Sequence, residues 1–231
     1  MLNIGITTGS YLKKGSAEVD YVKMASYGYT CGDYSGISNP ESTFYTMSDE
    51  DMKKALEKEK ETAKAAGITF SQVHGTWPVD DTSAEKVAAN LIMQKTCVRA
   101  TAYLGCKNLV VHPLMPYSWG EELDSEYAEK INEEFFRELC TYAQDYGVNI
   151  CIENMPTKKH KLASIRNLVP FVKKLDMPNF LIYLDTGHCL VSGDDCGEMV
   201  RFCGDLLAVL HVHDNDGRCD AHVVPYFGKI N

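Results

Sequence analysis

Seven histidines occur in this 231-residue sequence, and six of them stand at the end of a short apolar run or in one loop soon after the last such run. These six are His74, His112, His188, His211, His213 and His222; His160 stands elsewhere. Two carboxylates close apolar runs in the same way. Glu153 follows Val148-Asn149-Ile150-Cys151-Ile152, and Asp185 follows Phe180-Leu181-Ile182-Tyr183-Leu184. A carboxylate in such a setting must be paired or metal-bound, because burying it alone is costly. Imidazole nitrogen mixed with carboxylate oxygen is the donor set of zinc, manganese and magnesium sites, with histidine favouring a transition metal. Plainer readings stand beside this one. A strand-end histidine taken singly is more often a hydrogen-bonded structural residue. Asp220-x-His222 is equally a turn device. Lys158-Lys159-His160-Lys161 reads as a solvated loop.

The elements that position these residues follow from hydrophobic periodicity. Short apolar runs predict strands over 2–8, 30–34, 68–74, 107–114, 148–155, 180–185 and 207–213. Amphipathic stretches predict helices over 17–27, 49–66, 83–105, 125–146 and 163–175, with a short one near 197–202. In the first helix Val19, Val22, Met24 and Ala25 are expected to face inward, and Phe135, Phe136 and Tyr142 are expected in the core. Strands buried on both faces and each followed by a helix imply a parallel sheet with right-handed crossovers. Seven of them without interruption predict an α/β fold, a (β/α)8 TIM barrel apparently truncated before the eighth strand, in a single domain over 1–231. Such a barrel carries its chemistry where its strands end, which is where the histidines and carboxylates stand. The chain stops at Gly228-Lys229-Ile230-Asn231. The expectation is a truncated gene product, or a sheet edge covered by another chain, which favours a homo-oligomer.

Composition narrows the function. The net charge is −9, which argues against nucleic acid as a partner, since that binding is driven by Lys and Arg. No apolar stretch is long enough to cross a membrane. The N-terminus shows no signal-peptide pattern, so a cytoplasmic protein is expected. Nine cysteines without a CxxC pair read as reduced thiols, with Cys97, Cys106, Cys140 and Cys151 inside apolar patterns.

With these residues in place, the sequence resembles the xylose-isomerase-like TIM-barrel superfamily. That superfamily includes sugar and sugar-phosphate isomerases and epimerases, hydroxypyruvate isomerase, inosose dehydratase and endonuclease IV. The segments that carry the resemblance are Ile152-Glu153-Asn154, Leu184-Asp185-Thr186-Gly187-His188 and His211-Val212-His213-Asp214-Asn215. Asp220-x-His222-x-x-Pro225-x-x-Gly228-x-Ile230 is a further match. The resemblance implies a divalent metal (Mn2+, Zn2+ or Mg2+) on Glu153, Asp185 and His211, with a last Glu ligand beyond Asn231. It implies a substrate contact by His188 and proton transfer by Glu153 through a metal-stabilised enediolate. The implied partner is a small-molecule sugar or sugar phosphate. His74, His112, Asp220 and His222 are second-tier metal or substrate residues. Arg218 lies one residue from the position of the epimerases' substrate-contacting arginine. Two alternatives stand. One is an endonuclease IV-like zinc phosphodiesterase acting on abasic DNA, for which His74, His112, Glu153, Asp185, His188, His211, Asp220 and His222 match the ligands of three zinc ions. The other is a non-catalytic barrel remnant.

Overall fold

The computed structural model describes residues 3–77, 82–115 and 124–230. Its strands are β1 (Gly5–Thr7), β2 (Cys31–Tyr34), β3 (Thr69–His74), β4 (Asn108–Val111), β5 (Asn149–Glu153), β6 (Phe180–Asp185) and β7 (Leu207–His211). They form one parallel sheet in chain order, β1 to β7. The sheet curls as a TIM barrel does, without an eighth strand among the described residues. The helices are α1 (Tyr21–Ser26), α2 (Asp49–Ala65), α3 (Ala84–Tyr103), α4 (Ser125–Gln144), α5 (Ile165–Leu175), α6 (Thr186–Ser192) and α7 (Cys196–Cys203). No described helix is long and apolar enough to cross a membrane.

The two-residue period of a strand sorts the sheet into faces. Ile150, Ile152, Phe180, Ile182, Leu184, Leu109 and Val111 point outward into the main core beneath the helices. Cys151, Tyr183 and Val110, at the alternate positions, pack inside the barrel. Gln72 of β3 donates to the Tyr183 hydroxyl across that interior, at 3.1 Å. Counting on by two from these inward residues reaches His112, Glu153 and Asp185, so one parity delivers the polar groups to one barrel mouth. The registers keep them level, with Glu153 beside Tyr183 and Asp185 beside His211.

The helices close the outer face by amphipathic stripes. In α4 the buried positions are Ala128, Asn132, Phe135, Phe136, Leu139, Cys140 and Ala143, a three-and-four spacing. Asn132 is the polar member of that stripe. It donates to the carbonyls of Leu114 and Ala128 and accepts from the Leu114 amide, which ties Leu114, just after β4, to α4. Tyr142, expected in the core, is only partly buried, and its hydroxyl accepts from Arg99.

Three local expectations are corrected. The first helix spans 21–26 rather than 17–27, because residues 12–19 pair across an antiparallel bridge and Asp20 caps the amide of Lys23. Of its expected inward residues, Val19 and Met24 are buried, whereas Val22 is exposed. The last strand stops at His211, and a helix not anticipated, α6, begins directly after Asp185.

Phe136 is fully buried and stacks on Phe180 at 5.0 Å, tying α4 to β6. Phe136→Ala is expected to destabilise the fold by about 3–5 kcal/mol. Urea denaturation of the variant checks this; an unchanged midpoint would show that the α4–β6 contact contributes little.

Candidate metal centre

Glu153 ends β5 with its carboxylate almost wholly buried, and its Oε2 has no hydrogen-bond partner. His112 Nε2 lies 3.0 Å from that oxygen and His74 Nε2 lies 3.6 Å from it. His188 Nδ1 stands 3.6 Å from the other oxygen, Oε1. Burial pushes the carboxyl up, but His112, His74 and His188 outweigh it and hold Glu153 well below the ordinary glutamate value. This oxygen is buried, anionic and ringed by imidazoles, the setting that suits a cation.

Asp185, at the end of β6, is completely buried. Its Oδ1 accepts the His188 amide at 2.7 Å and so caps α6. His211 Nδ1 lies 2.8 Å from Oδ2, and His213 Nε2 lies 2.9 Å from Oδ1. Asn154 clamps the same residue through its backbone, accepting from the Asp185 amide at 2.8 Å and donating to its carbonyl at 3.0 Å.

His188 shows what these rings require. Its Nδ1 donates to the Asn154 carbonyl at 2.6 Å, leaving Nε2 facing Asp220 Oδ2 at 3.2 Å. A neutral ring in that tautomer turns a lone pair towards an anion, so Nε2 needs a proton or a metal. Burial lowers the pKa of His188, but Asp220, Asp185 and Glu153 raise it further, to about 9. His74 repeats the pattern: Nδ1 bonds the Gly75 carbonyl at 2.9 Å, and Glu153 lifts the ring to about 9 against burial. Metal-bound histidines commonly donate their second N–H to a backbone carbonyl in this way. His112 goes the other way, lowered by burial.

The ligand-capable atoms fall into four overlapping groups, each within 4.8 Å. They are His74, His112 and Glu153; Glu153, Asp185 and His188; Asp185, His211 and His213; and His188, His213, Asp220 and His222. The orphaned Glu153 oxygen, the half-satisfied rings and the mixed nitrogen and oxygen donors all fit a divalent transition metal. Asp220 and His222 meet at 3.0 Å on the loop after β7. Arg218 lines the same cavity, of about 630 Å3, with its guanidinium largely exposed.

Sequence reading named His213 as a strand-end histidine but gave it no role. It is buried beyond the end of β7, and its Nδ1 has no partner. Its ring stacks on His222 at 3.9 Å and packs so close to Gly187 that a Cβ there would fall 1.9 Å from the ring. The His-x-His spacing on a strand, which puts both rings on one face, was the available signal. Asp33 on β2 also lines the cavity, and no apolar run marked it. Asp214 proves structural, its carboxylate accepting the amides of Gly228, Lys229 and Ile230. His160 and the adjoining lysines line a separate cavity of about 660 Å3.

A family model described as the xylose isomerase-like TIM barrel matches residues 22–231. A D-psicose 3-epimerase of Agrobacterium fabrum is 29% identical over 111 residues, 47% of this chain and 38% of that protein. The chain thus spans well under half of that relative's length. Among solved structures, a D-tagatose 3-epimerase-like protein superposes with a TM-score of 0.79 at 20% identity, over 100% of this chain and 83% of that one. An IolI protein carrying a bound zinc atom gives 0.78 at 17% identity, over 100% and 81%. At such identities these two structures show the fold.

The raised pKa values of His74 and His188 bear on stability. A histidine held above its unfolded value of 6.5 contributes stability that is fully present below pH 6.5 and lost as pH rises through about 9. The metal-free protein is therefore expected to melt at progressively lower temperature between about pH 6.5 and 9. Divalent metal should bind more tightly over the same window, because it competes with those protons. Thermal melts with a chelator, across pH, check this; a flat or rising melting temperature would contradict the imidazolium pairing.

Proposed function

The chain belongs to the xylose isomerase-like TIM-barrel family, and on that premise we propose that it is a metal-dependent isomerase or epimerase of a sugar or sugar phosphate. The observation that carries this reading is the orphaned, buried Oε2 of Glu153, held anionic within one cavity shared with Asp185, His188 and His211. The D-psicose 3-epimerase relative supports the same chemistry.

Glu153, Asp185 and His211 would hold the metal. When bound, a divalent cation polarises a substrate carbonyl and its neighbouring hydroxyl, which acidifies the α-proton. Glu153 is the base: its anionic form is favoured by three histidines, and its position at the cavity floor reaches an α-carbon presented there. His188 is held by Asn154 and by the Asp185 cap, so its Nε2 is aimed and ready to bond a substrate oxygen. Its raised pKa keeps that nitrogen protonated, and hence a donor, at neutral pH in the metal-free site. Asp185 positions His211 and His213 together, and both rings would shift without it.

A second reading is favoured by one specific observation. His74 and His112 with Glu153, and Asp220 and His222 with His188, supply ligand groups beyond those one metal needs. An endonuclease IV-like zinc phosphodiesterase would use them, although a net charge of −9 opposes binding to DNA. Metal content separates the readings: about one divalent ion per chain supports the isomerase, and close to three zinc ions with nicking of abasic DNA supports the phosphodiesterase. A chain that binds no metal would fit a non-catalytic remnant.

Asp185→Ala is expected to remove the metal and to lower kcat/KM for ketose epimerisation by more than about 100-fold. Elemental analysis, with exchange of the substrate α-proton in deuterated water, measures both. Full metal content in the folded variant would overturn the assignment of Asp185 as a ligand.

A further inference from the structure

One carboxyl in the cavity has no task in the chemistry above. Asp33 lies on β2, paired in register with Thr7 of β1 and Gln72 of β3. Its strand neighbour Tyr34 packs outward into the main core, so Asp33 faces the barrel interior and lines the cavity. Its Oδ1 is shut off from water and has no hydrogen-bond partner. No Lys, Arg or His among the described residues forms an ion pair with it. A buried carboxyl oxygen in this state lacks the compensation that folding normally supplies.

The neighbouring polar groups are already committed. Ser35 Oγ accepts the Gly9 amide at 3.0 Å, and Ser38 Oγ donates to the Ser35 carbonyl at 2.8 Å. Gln72 donates to Tyr183. The β1–β2 wall therefore offers an incoming molecule one strong, unsatisfied acceptor, and it carries none of the imidazoles that crowd the β3–β7 side. The cavity's acidic groups are Asp33, Glu153, Asp185 and Asp220, against a single guanidinium, Arg218, at the mouth. A phosphate brought to Asp33 would meet a carboxyl whose charge is already matched by the neighbouring His74. A hydroxyl would supply the missing proton donor.

Resting on the sugar-isomerase reading, the geometry points to Asp33 as a specificity residue that accepts a hydrogen bond from a hydroxyl of the substrate. The sugar portion reaching the β1–β2 wall is then an unphosphorylated polyol. Asp33 touches substrate but takes no part in metal binding, and its orphaned oxygen is satisfied only when the sugar is bound. A site built to bond a hydroxyl discriminates strongly against an analogue lacking it, because the buried partner is left unpaired.

The test uses the metal-loaded protein with Asp33→Ala and Asp33→Asn. Binding of a hexitol, a non-reacting polyol, is measured by calorimetry beside KM for free ketohexoses and for their terminal phosphates. Wild type is expected to prefer the free sugars, and Asp33→Ala to weaken hexitol binding and raise KM by about 10-fold with metal content unchanged. The unliganded Asp33→Asn variant should melt about 2–4 °C higher, because a costly buried carboxyl is gone. Unchanged hexitol affinity in Asp33→Ala, loss of metal, tighter binding of the phosphates by wild type, or unfolding of both variants would each overturn the inference. Hexitol binding that depends on Asp33 in a protein that epimerises no ketose would sink the isomerase reading and leave the polyol site standing. Epimerase activity indifferent to Asp33 would do the reverse.

Discussion

Taking the Asp185 carboxylate out of water is unfavourable by several kcal/mol unless its lone pairs are met, and the structure around it is arranged to meet them. One oxygen accepts the His188 amide in the first turn of α6, and the two together face His211 and His213. The backbone of the same residue is gripped by Asn154, the residue directly after β5. β5, β6, β7 and α6 are thereby locked to one point. Because a helix starts immediately at the strand end, its N-terminal amides face the carboxylate as a fixed positive field. Glu153, the last residue of β5, inherits its position from that lock through the adjoining Asn154.

This arrangement makes the site rigid on one side and open on the other. On the β3–β7 side each polar group has a designated partner or a designated gap. On the β1–β2 side the strands are short, and the hydroxyls bond to neighbouring loops. The chemical divide follows the strand order: nitrogen and carboxylate donors where the sheet is most deeply paired, a lone oxygen acceptor near its first edge. A substrate spanning the cavity would meet two different environments, one that polarises and one that recognises.

Much of this was legible in the sequence. An apolar run closed by an acid names its own strand end, so Glu153 and Asp185 stood out, and parity then placed His74 and His112 beside them. Asp33 was hidden because Thr30-Cys31-Gly32-Asp33-Tyr34 has no such run; only pairing to β1 and β3 turns it inward. His213 was named as a strand-end residue, yet the strand stops at His211, and what buries the ring is the absence of a side chain at Gly187, a contact between distant positions. α6 was missed because the cap of the helix is also the last residue of the strand, and a local pattern cannot assign one residue to both. Val22 was misjudged for a simpler reason: it does lie in α1, but the shortened helix buries Tyr21 and Met24 and turns Val22 to its exposed face.

The carboxylate of Asp214 gathers the amides of residues 228–230, and its backbone pairs with Val223. The loop carrying Arg218, Asp220 and His222 is therefore pinned at its base, and the entropy of closing it is settled by groups outside it. Such a loop behaves as an exchangeable cassette. Residues between 216 and 222 can vary in size and charge, and so retune what the cavity mouth admits, while the clasp that presents them and the barrel beneath stay unchanged.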